Sequence, residues 1–211
     1  MFFRFMMFLF GLCVLATGIS TVTHAGLGTG TVSSAAIVLS QRTGLSMGFF
    51  VFATNAFFFV LQTIVDRRDF LVKAVKQLPV CALFGLVFDG AMWMTSFLNP
   101  TSYAMSVLQV MAGTVLTGLG ISGMVYARLL ILPPEGFVLT IMHRWGGSFG
   151  TLRMGVDIFL VVVAVILSLI FFGTIVGLRE GTLITALGAG RCANVFLKIW
   201  GRLFPKHRAI D

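Results

Sequence analysis

The sequence predicts an all-α membrane protein of about six transmembrane helices, five long and one short. They form two inverted three-helix repeats, each with a re-entrant or interfacial half-helix. Three observations lead there. Hydrophobic residues make up 58% of the 211 residues and charged ones only 10%, and mean hydropathy is +1.02, outside the range of a soluble domain. The chain also repeats itself at a fixed spacing. Its basic residues, finally, gather in segments that an even number of crossings would put on one side of a membrane.

The repeat is plainest at Arg42-Thr-Gly-Leu-Ser-Met-Gly48, followed after six residues by Asn55. It returns 102 residues later as Arg144-Trp-Gly-Gly-Ser-Phe-Gly150, followed by Asp157. The same offset pairs Gly11 with Gly113, Gly18 with Gly120, Ser20 with Ser122, Leu27 with Leu129 and Phe70 with Phe172. One constant offset on both sides of a motif is the mark of duplication, and it predicts a register without gaps. The division is then 1–98 for the first membrane repeat, 99–102 for an external turn, 103–200 for the second, inverted repeat, and 201–211 for a basic cytoplasmic tail.

About 20 apolar residues cross a hydrocarbon core of about 30 Å. The first such run is 5–23. Its flank Thr21-Val-Thr-His-Ala25 imitates a signal-peptide cleavage site, but Gly11, Gly18 and Ser20 have internal counterparts, so the segment is expected to be retained. Spans follow at 47–65, 78–97, 103–127 and 156–176, and a shorter, glycine-richer stretch at 181–200 is the sixth. Arg4, the group Arg67, Arg68, Lys73 and Lys76, then Arg128, then Lys198, Arg202, Lys206 and Arg208 all fall on one side of such a fold, placing both termini in the cytoplasm of a bacterial inner membrane. The uncharged turn Asn99-Pro-Thr-Ser102 falls outside. Three crossings per repeat is an odd number, so the two repeats insert with opposite orientation.

Residues 26–44 and 132–147 are too long for turns and too short to span. Both begin with helix-starting chemistry, glycine with serine and threonine in one, Pro133-Pro-Glu135 in the other, and both run apolar for about two turns before ending on Arg and Gly. They read as re-entrant half-helices, which need protein or a water-filled cavity around them, or as amphipathic helices on the surface.

Polar residues inside apolar spans are the candidate site, because each costs several kcal/mol unless paired or hydrated. Asn55 and its charged counterpart Asp157 suit a cation or proton; alternatively Asp157 pairs with Arg153, one turn back. Arg42 and Arg144 end the half-helices, where a cation meets the dipole, or they hold an anion at the repeat interface. Ser46 and Ser148 cap the spans that follow or donate to the same ligand. Glu135 and Glu180 open helices, and Glu180 stands beside Arg179 and flexible glycines where backbone groups could meet a substrate. Asp89 and Arg191, also 102 apart, are opposite charges that could pair within the membrane or line a cavity.

The glycine sets Gly11 with Gly18 and Gly113 with Gly118 and Gly120 predict close helix contacts, whereas Gly26 to Gly30 lacks the strand that a nucleotide-binding loop requires. No zinc-protease, Cys-x-x-Cys or phosphate-loop pattern is present. Cys13, Cys81 and Cys192 read as small apolar residues, and His24, His143 and His207 do not cluster. The reading is therefore not an enzyme, with no cofactor and no metal site. The net charge of +8 points to anionic lipid headgroups and gives no cause to invoke nucleic acid.

A glycine-rich segment, an apolar half-helix, Gly-x-Ser-x-Gly and an Asn early in the next span together resemble the YitT/YczE family of bacterial integral membrane proteins. Arg179-Glu-Gly-Thr-Leu-Ile184 is similar to the Glu-Gly-Thr stretch of YczE-like members, and the chain lacks the soluble C-terminal domain of the YitT-like ones. The resemblance implies location and fold more than activity. The expected function is a small-solute or ion transporter with an inverted-repeat site holding Arg42, Asn55, Arg144, Asp157 and Glu180, possible as a homodimer. Its competitors are a non-transporting accessory or regulatory membrane protein and a solute-binding subunit of an energy-coupled importer.

Overall fold

The computed structural model describes residues 2–66 and 70–204, with backbone alone at 70–76. Among these residues the chain forms eight α-helices: α1 (Phe2–His24), α2 (Thr31–Thr43), α3 (Met47–Val65), α4 (Phe70–Met94), α5 (Tyr103–Ala127), α6 (Pro133–Trp145), α7 (Phe149–Phe172) and α8 (Glu180–Leu203). Five of them, α1, α3, α4, α5 and α7, are long and apolar enough to cross a membrane. Side chains such as Phe57, Val60, Leu108, Met111, Val162 and Ile166 are exposed in rows along them. Apolar faces this wide need lipid rather than water around them, and the chain is a helical multi-pass membrane protein.

The core is organised on α1 and α5, the closest-packed pair of helices. Cβ atoms built on Gly11 and Gly18 would lie 2.8 Å from Gly120 O and 2.9 Å from Gly113 O. Residue 11 thus faces 120 and residue 18 faces 113, so the two helices run antiparallel at a separation only glycine permits. α4 packs on α1, and α8 packs on α5.

α8 is longer than the short sixth stretch expected at 181–200. Its buried face is small and polar, with Gly181, Thr182, Thr185, Ala186, Ala189, Gly190 and Ala193, which lowers its hydropathy and lets it lie against α5 along its whole length. Gly181 N–H donates to Leu27 O at 2.8 Å, Thr185 meets Thr114 at 3.3 Å, Trp200 Nε1 donates to Ser122 Oγ at 3.0 Å, and Tyr126 OH donates to Phe204 O at 2.6 Å. Phe204 also lies against Phe3, ring centroids 5.0 Å apart and tilted by 53°, so both described ends of the chain lie at one end of the bundle. Arg67, Arg68, Lys73 and Lys76, and the tail from residue 205, lie outside the described side chains; the tail expected from 201 begins inside α8.

The half-helices are bounded at the offset the repeat predicts. α2 starts after Gly30 and stops at Gly44, a left-handed residue with φ 77°; α6 starts after Leu132 and stops at Gly146, φ 80°. Ser46 and Ser148 then cap α3 and α7, accepting from the N–H groups of Phe49 and Thr151. In both half-helices the first turn is buried and the last exposed. Thirteen residues rise about 20 Å, so each half-helix carries the chain from its buried first turn to its exposed last turn.

The ungapped register fails beyond α3 and α7. Phe70 opens α4 while Phe172 closes α7, because α7 has 24 residues against 19 in α3. The second repeat regains step three residues later. Asp89 Oδ1 accepts from Gly48 N–H at 2.8 Å, and Asn194 Oδ1 accepts from Gly150 N–H at 3.2 Å, each a side chain from the last helix satisfying a first-turn amide of the third. Asn194, not Arg191, is therefore the counterpart of Asp89. Arg191 is exposed on α8, and the expected Asp89–Arg191 ion pair does not form.

Candidate functional site

Between the inner ends of α2 and α6 lies a group of buried charges. Glu135 sits in the first turn of α6 and is 2% exposed; Arg153 and Asp157, one turn apart on α7, are 2% and 0% exposed. Arg153 Nη1 donates to Glu135 Oε1 at 2.5 Å. Its other donors hold Asp157, Nε to Oδ2 at 3.3 Å and Nη2 to Oδ1 at 3.2 Å. Asp157 Oδ1 also accepts from Thr31 Oγ1 at 2.6 Å. Thr31 is the first residue of α2, so one guanidinium ties the carboxylate at the start of α6 to the α7 carboxylate that receives the start of α2.

Each element supplies its part for a local reason. Pro133 and Pro134 have no N–H to leave unpaired at the head of α6, and Glu135 complements the positive end of that helix dipole. Gly30, itself extended at φ −60° and ψ 152°, lets α2 begin with Thr31 against α7. Spacing of four puts Arg153 and Asp157 on the same face of α7. Burying such a cluster is tolerable only because the fork of Arg153 is satisfied on both sides.

The sequence expectations divide sharply. Asp157 is at the centre, and the pairing with Arg153 is formed. Asn55 is also fully buried; its Nδ2 donates to Val51 O at 2.7 Å, but its Oδ1 has no hydrogen-bond partner. Arg42, Ser46, Arg144, Ser148 and Glu180 are exposed and are not brought to the buried cluster. Arg144 lies over the Trp145 ring at 5.2 Å and donates to Val65 O at 2.8 Å, closing α6 onto the end of α3. The two serines act as caps. Glu180 pairs with Arg179 at 3.3 Å in the open.

Arg153, Glu135 and Thr31 were not singled out as site residues. The available signal was that Glu135 and Arg153 are charges whose counterparts 102 residues earlier are Ser33 and Val51. A polar cleft of about 390 Å³, lined by His24, Gly26, Asn99, Ser102, Tyr103 and Arg179 among others, opens at the end of the bundle away from Phe3 and Phe204. It does not reach the buried charges.

The arrangement is that of a multi-pass membrane protein with two half-helices converging on a closed, charged centre. Residues 2–198 match DUF6198, a family of unknown function, and the chain belongs to that family. No curated protein and no solved structure matches it.

Proposed function

We propose that the protein is a transporter of a small solute or ion, built from two inverted repeats whose half-helices re-enter the membrane from opposite faces. The observation that carries this reading is Arg153, held between Glu135 at the head of α6 and Asp157, the α7 carboxylate that binds Thr31 at the head of α2. Discontinuous helices with their positive ends at mid-depth are how such repeats present charge to a solute. An ion cluster buried in a membrane domain is costly and has few purely structural reasons to exist.

Antiparallel α1 and α5, related through Gly11, Gly18, Gly113 and Gly120, would lie at the pseudo-twofold axis. α8 would be the sixth crossing, with both termini on the side rich in basic residues, in the cytoplasm of a bacterial inner membrane. The closed charges and the open cleft at the other end fit a conformation occluded at the centre, with Arg179 at the mouth. Kinship with the YitT/YczE family belongs to the same proposal and rests on the shared motif order.

The test is a thermal-shift screen of the detergent-purified protein against amino acids, carboxylates, nucleosides and simple salts, repeated with Asp157→Asn. A ligand at a hundredfold over its dissociation constant adds about 2.7 kcal/mol. A shift seen in the wild type and lost in the variant supports a solute site at the centre. If no compound shifts either protein and Asp157→Asn is only less stable, the charges serve folding and the accessory-protein reading takes over.

A further inference from the structure

The half-helices also differ along their sides. Beside α2, a groove of about 240 Å³ runs between α3 and α7. Ala35 and Leu39 of α2, Phe50 and Phe57 of α3, and Phe159 and Leu167 of α7 line it. Its one hydroxyl, on Thr54, donates back to Phe50 O at 2.9 Å. Phe57 and Phe159 are about half exposed, so the groove opens on the lipid-facing side of the bundle. The residue equivalent to Ala35 in the second repeat is Phe137, whose ring takes up the corresponding place and meets Phe58 with centroids 5.7 Å apart.

The two arginines differ in the same sense. Spacings of four and three put Ala35, Leu39 and Arg42 on one face of α2, so Arg42 stands one turn beyond the groove, near the level where α3 begins its span. Arg42 is exposed and makes no hydrogen bond or ion pair among the described residues. Its counterpart Arg144 is committed to Val65 O and the Trp145 ring. Asp89, the carboxylate at that end of α3, is on the other face of the helix, accepting from Gly48 N–H at 2.8 Å. Open groove and free guanidinium occur together in one repeat, and both are taken up in the other.

Within a bilayer no hydrophobic gain comes from covering an apolar slot, because lipid tails are as apolar as leucine. The gain is van der Waals contact, which goes to whatever follows the slot most closely. From Phe50 to Phe57 is about 10 Å of helix, about a third of a hydrocarbon core of about 30 Å. A volume of about 240 Å³ over that length is far narrower than a helix about 10 Å across, and suits part of one flexible chain hanging from the surface. A phosphate above that chain meets Arg42, whose planar fork matches phosphate oxygens. With no acid on that face, the unbalanced positive charge favours a headgroup of net negative charge.

We propose that this groove holds one acyl chain of an anionic phospholipid whose phosphate is bound by Arg42. The inner end of the groove, at Ala35 and Leu160, lies one turn from Thr31 and Asp157. The seated chain thus braces α2 against α3 and α7 behind the charged centre, and its binding does not depend on the transport reading.

The experiment is a melt of the delipidated full chain in detergent, with phosphatidylglycerol or phosphatidylcholine of identical acyl chains added to the micelles. Lipid retained by each chain is counted by native mass spectrometry. Phosphatidylglycerol at about a hundredfold over its dissociation constant is expected to raise Tm by about 5–10 °C and to stay bound as a single copy, with a clearly smaller rise from phosphatidylcholine. Arg42→Gln should remove the difference between the lipids, and Arg144→Gln should keep it. Ala53→Phe, which adds a ring to the groove from an exposed position, should abolish both increments. Equal shifts from the two lipids in the wild type, or a preference that survives Arg42→Gln, overturn the proposal. So does an increment that survives Ala53→Phe, or a dimer that dissociates on Ala53→Phe while no lipid is retained, which would give the groove to a second copy of the chain. The wild type and Arg42→Gln decide the outcome even where Ala53→Phe fails to fold.

Discussion

The two half-helices are alike at their outer ends and unlike at their inner ends. Outside, α2 and α6 stop at Gly44 and Gly146, carry Arg42 and Arg144 in the last turn, and hand over to Ser46 and Ser148 as caps. Inside, Thr31 corresponds to Pro133, Ser33 to Glu135, Val51 to Arg153 and Asn55 to Asp157. One copy is neutral and the other holds two acids and a base. Ser33 simply bonds back to Gly30 O at 2.9 Å, and Asn55 keeps an unpartnered oxygen where the position equivalent to Thr31 is a proline without a donor. Duplication keeps what both copies need in order to fold, and the chemistry sits where they have diverged.

The sharpest way to test that contrast is at the 51 and 153 pair. Arg153→Met leaves Glu135 and Asp157 buried without their counter-charge and should cost about 3–5 kcal/mol, read as a fall in Tm in detergent. Val51→Ala, at the matching place, should cost about 2 kcal/mol as an ordinary truncation in a packed interior. Equal losses would mean that the charged copy is not special.

Next in size comes a pair expected to behave alike. A Cβ on Gly18 would lie 2.5 Å from Thr117 N, and Gly120 faces Leu15 backbone in the same way. Gly18→Val and Gly120→Val should each cost about 1–3 kcal/mol or more by forcing α1 and α5 apart. A large difference between them would break the symmetry of that interface.

Thr31→Val removes the hydroxyl donor to Asp157 and should cost about 1–3 kcal/mol. Asn55→Leu, on the neutral side, removes an amide whose oxygen has no partner and should be close to neutral, or stabilising, in the same melt. Smallest are the caps. Ser46→Ala and Ser148→Ala should each cost about 1 kcal/mol, equally, without altering any ligand-induced shift.

The same logic explains what could be read from the sequence. Comparing the repeats placed the half-helices within 26–44 and 132–147, and the structure bounds them more tightly at Thr31–Thr43 and Pro133–Trp145, where Gly30 and Leu132, Gly44 and Gly146, Ser46 and Ser148 all keep the 102 spacing. It drew attention to Arg42, Arg144, Ser46 and Ser148 for the same reason, and these are fold-making positions on the surface. Arg153 and Glu135 were harder to see, because nothing across the repeat matches them and because α6 and α7 meet only in three dimensions. The register beyond residue 172 was misread because a longer α7 shifts the last helix by three residues, which moved the partner of Asp89 from Arg191 to Asn194.

The measurement that tests the central claim most directly is single-cysteine accessibility along 29–45 and 131–147 in intact membranes, with a membrane-impermeant thiol reagent applied from each side in a background lacking Cys13, Cys81 and Cys192. The account predicts labelling of the outer turns of α2 from one side only and of α6 from the other side only. Both should fall silent toward Thr31 and Glu135, where the half-helices meet at Arg153. Labelling of both segments from the same side, or a helical stripe accessible along the full length of either, would show two helices lying on the surface and contradict it.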